Sequence, residues 1–167
     1  TSTMRDTSEL TDVVHGYVVS SRMEARSAIE PLVVAYFFDG VESDFTVQFP
    51  KRGQASAASL TEDDIGADPQ PNTSRPYITE TRREEVELLA RMEVTAALSS
   101  IDYQPHSEYA KRAEEAIQTS RQGSVELPIA FDNVDEIAQI AEKSLWRDWA
   151  ARTQYSLAVP LKQVRLD

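Results

Sequence analysis

Four stretches of this chain repeat apolar residues at steps of three and four, and that periodicity constrains the fold more than any other feature. The first covers residues 8–29, where Leu10, Val13, Val14, Tyr17, Val18, Ala25, Ala28 and Ile29 recur. Asp6 and Glu9 precede it like a capping pair. Gly16 and the clusters Val13-Val14 and Val18-Val19 argue for a strand in part of the same stretch. Pro31 biases Glu30 away from helical angles, so the helix is expected to end there. The second stretch, 79–101, opens with Thr81 and Glu84 as a capping box. Its stripe is Val86, Leu89, Ala90, Val94, Ala97, Leu98 and Ile101, and Glu87 with Arg91 forms an i,i+4 pair. A short third helix is predicted over 107–122, with Tyr109, Ala113, Ala116 and Ile117 inward, Glu108 paired to Arg112 outside, and Gly123 as the C-terminal cap. The fourth starts at Asn133 as its cap and reaches about Gln154, with Ile137, Ile140, Ala141, Leu145 and Trp149 on one face.

Strand signals lie between these stretches. Residues 32–38 are short, apolar and rich in aromatic and β-branched side chains, which reads as a buried strand. Asp39-Gly40 is a turn signal. Residues 44–49 then alternate, with Phe45, Val47 and Phe49 on one side and Thr46 and Gln48 on the other, so the two runs predict a hairpin. Pro50 ends its second strand or marks it as an edge. Residues 125–131 read as a further strand, in which Pro128 signals an edge or a bulge.

Residues 51–78 have little periodicity and are rich in Ala, Ser, Asp and Pro. A loop this long needs something to lie against if it is ordered, and a partner subunit is the expectation. Residues 155–167 alternate in part through Leu157, Val159 and Leu161 and predict an extended C-terminal arm. The architecture expected is α+β: a single domain over 1–167, with about four helices packed on a small, mostly antiparallel sheet, a long ordered loop and that arm. The start at Thr1, with no Met and no visible tag, reads as full-length mature material.

Charge bounds the partners. The 167 residues carry 28 Asp+Glu against 17 Lys+Arg, a formal net of −11, and only 4 of the 17 cations are lysine. Such a surface disfavours bare nucleic acid and anionic membranes. Abundant acid with little lysine fits salt adaptation, since the Debye length falls to about 3 Å at 1 M salt and self-repulsion is screened. An Arg-favouring genome would give the same Arg/Lys ratio. No apolar run approaches the roughly 18 residues of a membrane span. The N-terminal residues lack a signal-peptide layout, and the expected location is the cytoplasm or a macromolecular particle. With no Cys, disulfides and thiolate metal sites are excluded.

No motif carries catalytic chemistry. Walker A, G-x-G-x-x-G and G-x-S-x-G are all absent. His15 and His106 are the two histidines, each a candidate general base and each more simply a packed or capping side chain. The acidic run 62–68 has close carboxylates but not the EF-hand spacing, and a solvated loop is the plainer reading. An acidic surface can also imitate DNA phosphates and occupy a basic protein. Asn72-Thr73-Ser74 matches a glycosylation sequon, a triplet common by chance. No cofactor, metal or catalytic residue is assigned.

Interface candidates remain. Trp146, Trp149 and Arg152 fall at three-residue steps on the fourth helix, and Trp and Arg are favoured at interface hot spots. Arg82-Arg83 and Lys51-Arg52 are basic doublets that could anchor a partner's carboxylates. The expected function is a non-enzymatic structural or assembly subunit of a homo-oligomer or larger particle, with a virion or phage component as one version. Its partners are other protein subunits, without direct nucleic-acid contact or membrane insertion. The rivals are a small enzyme using His or carboxylate chemistry and an acidic module that inhibits a basic partner.

Overall fold

The computed structural model describes residues 4–43, 45–55, 59–61, 65, 78–112 and 119–158. In chain order these form β1 (Met4–Asp6), β2 (Gly16–Tyr17), α1 (Ala25–Tyr36), β3 (Val41–Ser43), β4 (Thr46–Gln48), β5 (Ile78–Arg82), β6 (Arg91–Leu98), β7 (Gln104–Lys111), β8 (Gln122–Phe131), α2 (Val134–Ala150) and β9 (Thr153–Leu157). The expected four helices are corrected to two among the described residues, and sheet predominates over helix.

The centre is a four-stranded sheet in the order β2-β8-β6-β7. β6 runs antiparallel to β7 and parallel to β8. Along β6 every second residue is buried, namely Val94, Ala96 and Leu98, and this period of two aims one face at the core. The predicted helix over 79–101 fails here because Val94, Ala97, Leu98 and Ile101 also satisfy three- and four-residue steps. Thr81 does not cap a helix but faces Gln154 across the β5–β9 pair. Arg91 does not reach back to Glu87 but bonds Glu93, two residues on along the same strand face, at 2.8 Å. The predicted third helix over 107–122 is corrected where the chain is described; residues 113–118, with Ala113, Ala116 and Ile117, lie outside the described residues, and Gly123 belongs to β8 rather than capping a helix. Residues 104–111 are β7, and Glu108 pairs with His106 two residues back rather than with Arg112.

β8 covers the expected strand at 125–131. Its register against β6 jumps from Thr95↔Glu126 to Ala97↔Ala130, so the irregularity brackets Pro128, which has no N–H to give to a ladder. The Pro128 carbonyl accepts from the Val18 amide at 2.9 Å, which ties down the segment next to β2. β2 itself comes very close to β8. A Cβ built on Gly16 would sit 3.1 Å from the Ala130 Cβ, which is why glycine occupies that position. Of the helix expected over 8–29 only 25–29 is helical, as the start of α1; apart from β2 the preceding residues form no regular element, and Val13 and Val18 are exposed.

α1 replaces the predicted strand at 32–38. A short apolar run cannot by itself tell a buried helix from a strand. Here Leu32, Val34 and Tyr36 pack beside buried Ala35 against the core. Pro31 lies inside this helix instead of ending it, and Phe37 closes it at φ 54° with its amide on the Val33 carbonyl. The expected hairpin of 32–38 with 44–49 does not form: β4 pairs instead with β3, which follows the Asp39-Gly40 turn, and β1 adds in parallel on the outer side of β4. Phe45, expected on one strand face with Val47 and Phe49, precedes β4 and is 85% exposed.

α2 follows the sequence reading at its start and along its buried face but ends at Ala150 rather than near Gln154, so Arg152 lies in the turn after it and Gln154 in β9. Asn133 caps it by accepting the Asp135 amide at 3.0 Å, and Ile137, Ile140, Ala141 and Leu145 are its buried face. That face lies over β6 and β7, closing a core with Leu127, Ile129 and Phe131 of β8. β5 and β9 form a separate two-stranded ribbon. Of the expected loop at 51–78, the described residues include 51–55, tied back by the Phe38–Lys51 bridge, and Ile78, which begins β5. The acidic run 62–68, apart from Ile65, and the sequon at 72–74 lie outside the described residues, as do residues 159–167 of the expected arm.

Candidate protein interface

The C-terminal half of α2 brings the predicted interface residues together and separates them into two kinds. Trp149 is half-buried. Its indole N–H donates to the Leu89 carbonyl at 2.7 Å, and the Arg112 guanidinium lies 3.8 Å from the centre of one of its rings. A planar cation on an indole face is a favourable stack that also excludes water from the ring. Asp148, beside it, accepts from the Leu89 amide at 3.0 Å and from Arg83 at 2.9 Å. Arg152 donates to the Arg83 carbonyl at 3.2 Å and lies 3.8 Å from Glu85. Trp149, Arg83 and Arg152 therefore fasten the 83–89 segment to the end of α2. Below them Thr119, a buried hydroxyl, donates to the Leu88 carbonyl at 2.6 Å, and Leu88 is fully buried.

Trp146 and Arg82 are different, since both face solvent. Trp146 is 56% exposed and stands on a ridge between two clefts. The larger, about 910 Å3, opens between α2, the end of α1 and the 12–15 stretch, with Val13, Phe37, Lys143 and Arg147 on its walls. The smaller, about 480 Å3, is floored by Leu145, Trp149 and Arg112. The ridge is rigid, because the helix beneath Trp146 is pinned one turn further on by Trp149 and Asp148. Arg112 was missed in the sequence because it was assigned to a helical pair with Glu108. An Arg at the end of a strand opposite a Trp-bearing helix face was the available signal.

The histidines are paired on the surface. His106 Nε2 lies 2.9 Å from Glu108, and His15 Nδ1 lies 3.0 Å from Asp132. The other oxygen of Asp132 accepts from the Ser99 hydroxyl at 2.7 Å. In this trio the carboxylate stands in the middle. Activation of a serine needs the imidazole there, so the arrangement does not prepare Ser99 for attack. Among the described residues no cluster of three or more His, Asp or Glu could hold a metal ion.

The Lys51-Arg52 doublet is engaged within the chain. Lys51 pairs with Asp12 at 2.7 Å, and Arg52 grips Asp39 through two bonds. The Arg52 bond holds the Asp39 carboxyl below its ordinary value of 3.8, against a smaller opposing effect of burial. Among the described residues no helix is long and apolar enough to cross a membrane.

A family model described as "Putative phage tail protein" matches residues 24–167. No curated protein matches the chain by sequence. Among solved structures, a chain from the virion of a native gene transfer agent particle is similar at TM-score 0.77 and 20% identity. The match covers 90% of this chain and 33% of that one, so the present chain spans about a third of its length.

Proposed function

The chain belongs to the phage tail family whose model spans residues 24–167, and from that premise we propose that it is a non-enzymatic assembly subunit that docks onto further copies of itself through the Trp146 ridge. Family membership makes it a structural component of a phage-type particle, associated there with other protein subunits. Self-association through this ridge is the finer reading. The observation that carries it is a large, rigid indole left 56% exposed between two clefts, on a helix whose neighbouring Trp149 and Asp148 are fully engaged. Trp anchors set in well-packed surroundings dominate binding energies, and pinning the helix beforehand lowers the entropy lost on docking.

The acidity fits the same reading. Copies with a net charge of −11 repel one another, and salt screens that repulsion. Association is therefore expected to strengthen with ionic strength, as in a salt-adapted particle. Light scattering at about 0.1 M and about 2 M salt tests this. The expected result is a defined oligomer favoured by salt, which Trp146→Ala weakens by roughly 30-fold or more in dissociation constant with the fold intact. A monomer under both conditions, or a variant that associates like the parent, overturns the reading.

A further inference from the structure

We propose that the β5–β9 ribbon is a strand-docking element: the outer edge of β9 in one copy pairs with the outer edge of β5 in the next. This rests on the reading of the protein as a self-associating subunit and adds a second, separable contact to it. The ribbon stands apart from the core. All five residues of β5 are exposed, as are four of the five in β9. Two strands alone are marginal in water and gain stability when further strands join them.

The backbone pattern shows which groups are available. Arg83 N–H donates to the Arg152 carbonyl at 2.9 Å, which sets the phase of the ladder, while the Arg152 N–H turns back to the Trp149 carbonyl. With the register Arg82↔Thr153 through Ile78↔Leu157, bonded pairs alternate with unbonded ones. Thr81 with Gln154 and Thr79 with Ser156 therefore bond inward. Thr153, Tyr155 and Leu157 turn their amides and carbonyls outward from β9, and Ile78, Glu80 and Arg82 do the same from β5. Among the described residues neither outer edge has a partner strand.

Composition selects a second copy as the occupant. β9 reads Thr-Gln-Tyr-Ser-Leu, with no charge and no proline, although 27% of the whole chain is charged. Edges meant to stay single carry charges or proline to repel other strands; β5 does carry Glu80 and Arg82, but they are opposite in sign and an incoming uncharged β9 brings no like charge against them. Residues 78–87 and 152–157 carry Arg82, Arg83 and Arg152 against Glu80, Glu84, Glu85 and Glu87, so this part holds little of the chain's net −11 and two copies meet less repulsion there. The strands match at five residues each. One face of the ribbon gathers Ile78, Tyr155 and Leu157, exposed by 49%, 62% and 41%, and edge-to-edge addition would extend that apolar strip across copies. Joining β9 to β5 is heterologous and uses both free edges of every copy in a closed ring, whereas β9 on β9 would leave both β5 edges bare.

Amide hydrogen exchange on the full chain, at dilute and at assembling concentration, tests this. Slowing by roughly tenfold or more at Thr153, Tyr155 and Leu157 on assembly is expected, with Gln154 and Ser156 already slow in the dilute protein. Tyr155→Pro removes one outward N–H and leaves the β5 ladder intact, and is expected to weaken association about tenfold or more. If the protein assembles, responds to Trp146→Ala, and yet exchanges these three amides at an unchanged rate, strand pairing is refuted while the Trp146 reading stands. A monomer at every concentration overturns both.

Discussion

β7 and β9 both sit at the edge of a sheet, and they are built in opposite ways. β7 carries Pro105, His106, Glu108 and Lys111, the charges and proline that discourage a new strand. Its free edge is guarded, and α2 presses it and β6 from one face. β9 carries no such charge or proline and, among the described residues, no helix lies over it; it is held at its base by the polar fastenings of Arg83, Asp148 and Arg152. One edge gains its order from a hydrophobic core, the other from a few directional bonds. The contrast separates the part of the molecule that must stay closed from the part suited to being completed by a neighbour.

Breaking the closed side gives the largest effect. Leu98, 2% exposed at the end of β6, contributes to the core beneath α2. Leu98→Ala is expected to destabilise the protein by about 2–5 kcal/mol in urea or thermal unfolding, the range for a leucine cavity. Exchange protection should fall across β6, β7 and β8 together. Asp148→Ala attacks the other side. It leaves the Leu89 amide and Arg83 without their shared acceptor, at a cost of about 1–3 kcal/mol. Amide exchange should then rise in β5 and β9 while β7 stays protected, and uniform loosening of both edges would erase the distinction drawn here. The smallest effect serves as a control away from both edges. Asp39→Asn weakens the exposed pair with Arg52 and is expected to cost about 1 kcal/mol or less. Because Arg52 lowers the Asp39 pKa in the folded state, this stabilisation is complete above the ordinary value of 3.8 and disappears as pH falls through the lower folded value. The parent and the variant should therefore converge in stability in acid.

The same contrast explains what the sequence disclosed. α2 was legible because its cap, stripe and length agree, and β8 because its β-branched run and Pro128 name both the strand and its bulge. β6 was not, since Val94, Ala97 and Leu98 satisfy helical steps as well as lying on a strand whose buried residues are Val94, Ala96 and Leu98. Helix pairing rules then hid the deciding clue. Arg91 with Glu93 and His106 with Glu108 are polar side-chain pairs two residues apart, which a strand places on one face and a helix does not. α1 was hidden by Pro31, whose penalty of about 3 kcal/mol is offset by the packing of Leu32, Val34 and Ala35. For the interface, both tryptophans could be named in advance, but their division of labour could not. It depends on Leu89 and Arg112, which only the fold brings beneath α2.

That division gives the protein a built-in optical reporter. Its two indoles sit on one helix and share Arg112: Trp149 is stacked 3.8 Å from the guanidinium and bonded to a carbonyl, while Trp146 lies 5.1 Å from it and stays 56% exposed. Emission from Trp149 records whether the helix end is intact. Emission from Trp146 records whether anything has covered the ridge. A blue shift from the exposed indole, with the Trp149 fastening left in place, would let assembly be followed in real time without attaching a dye.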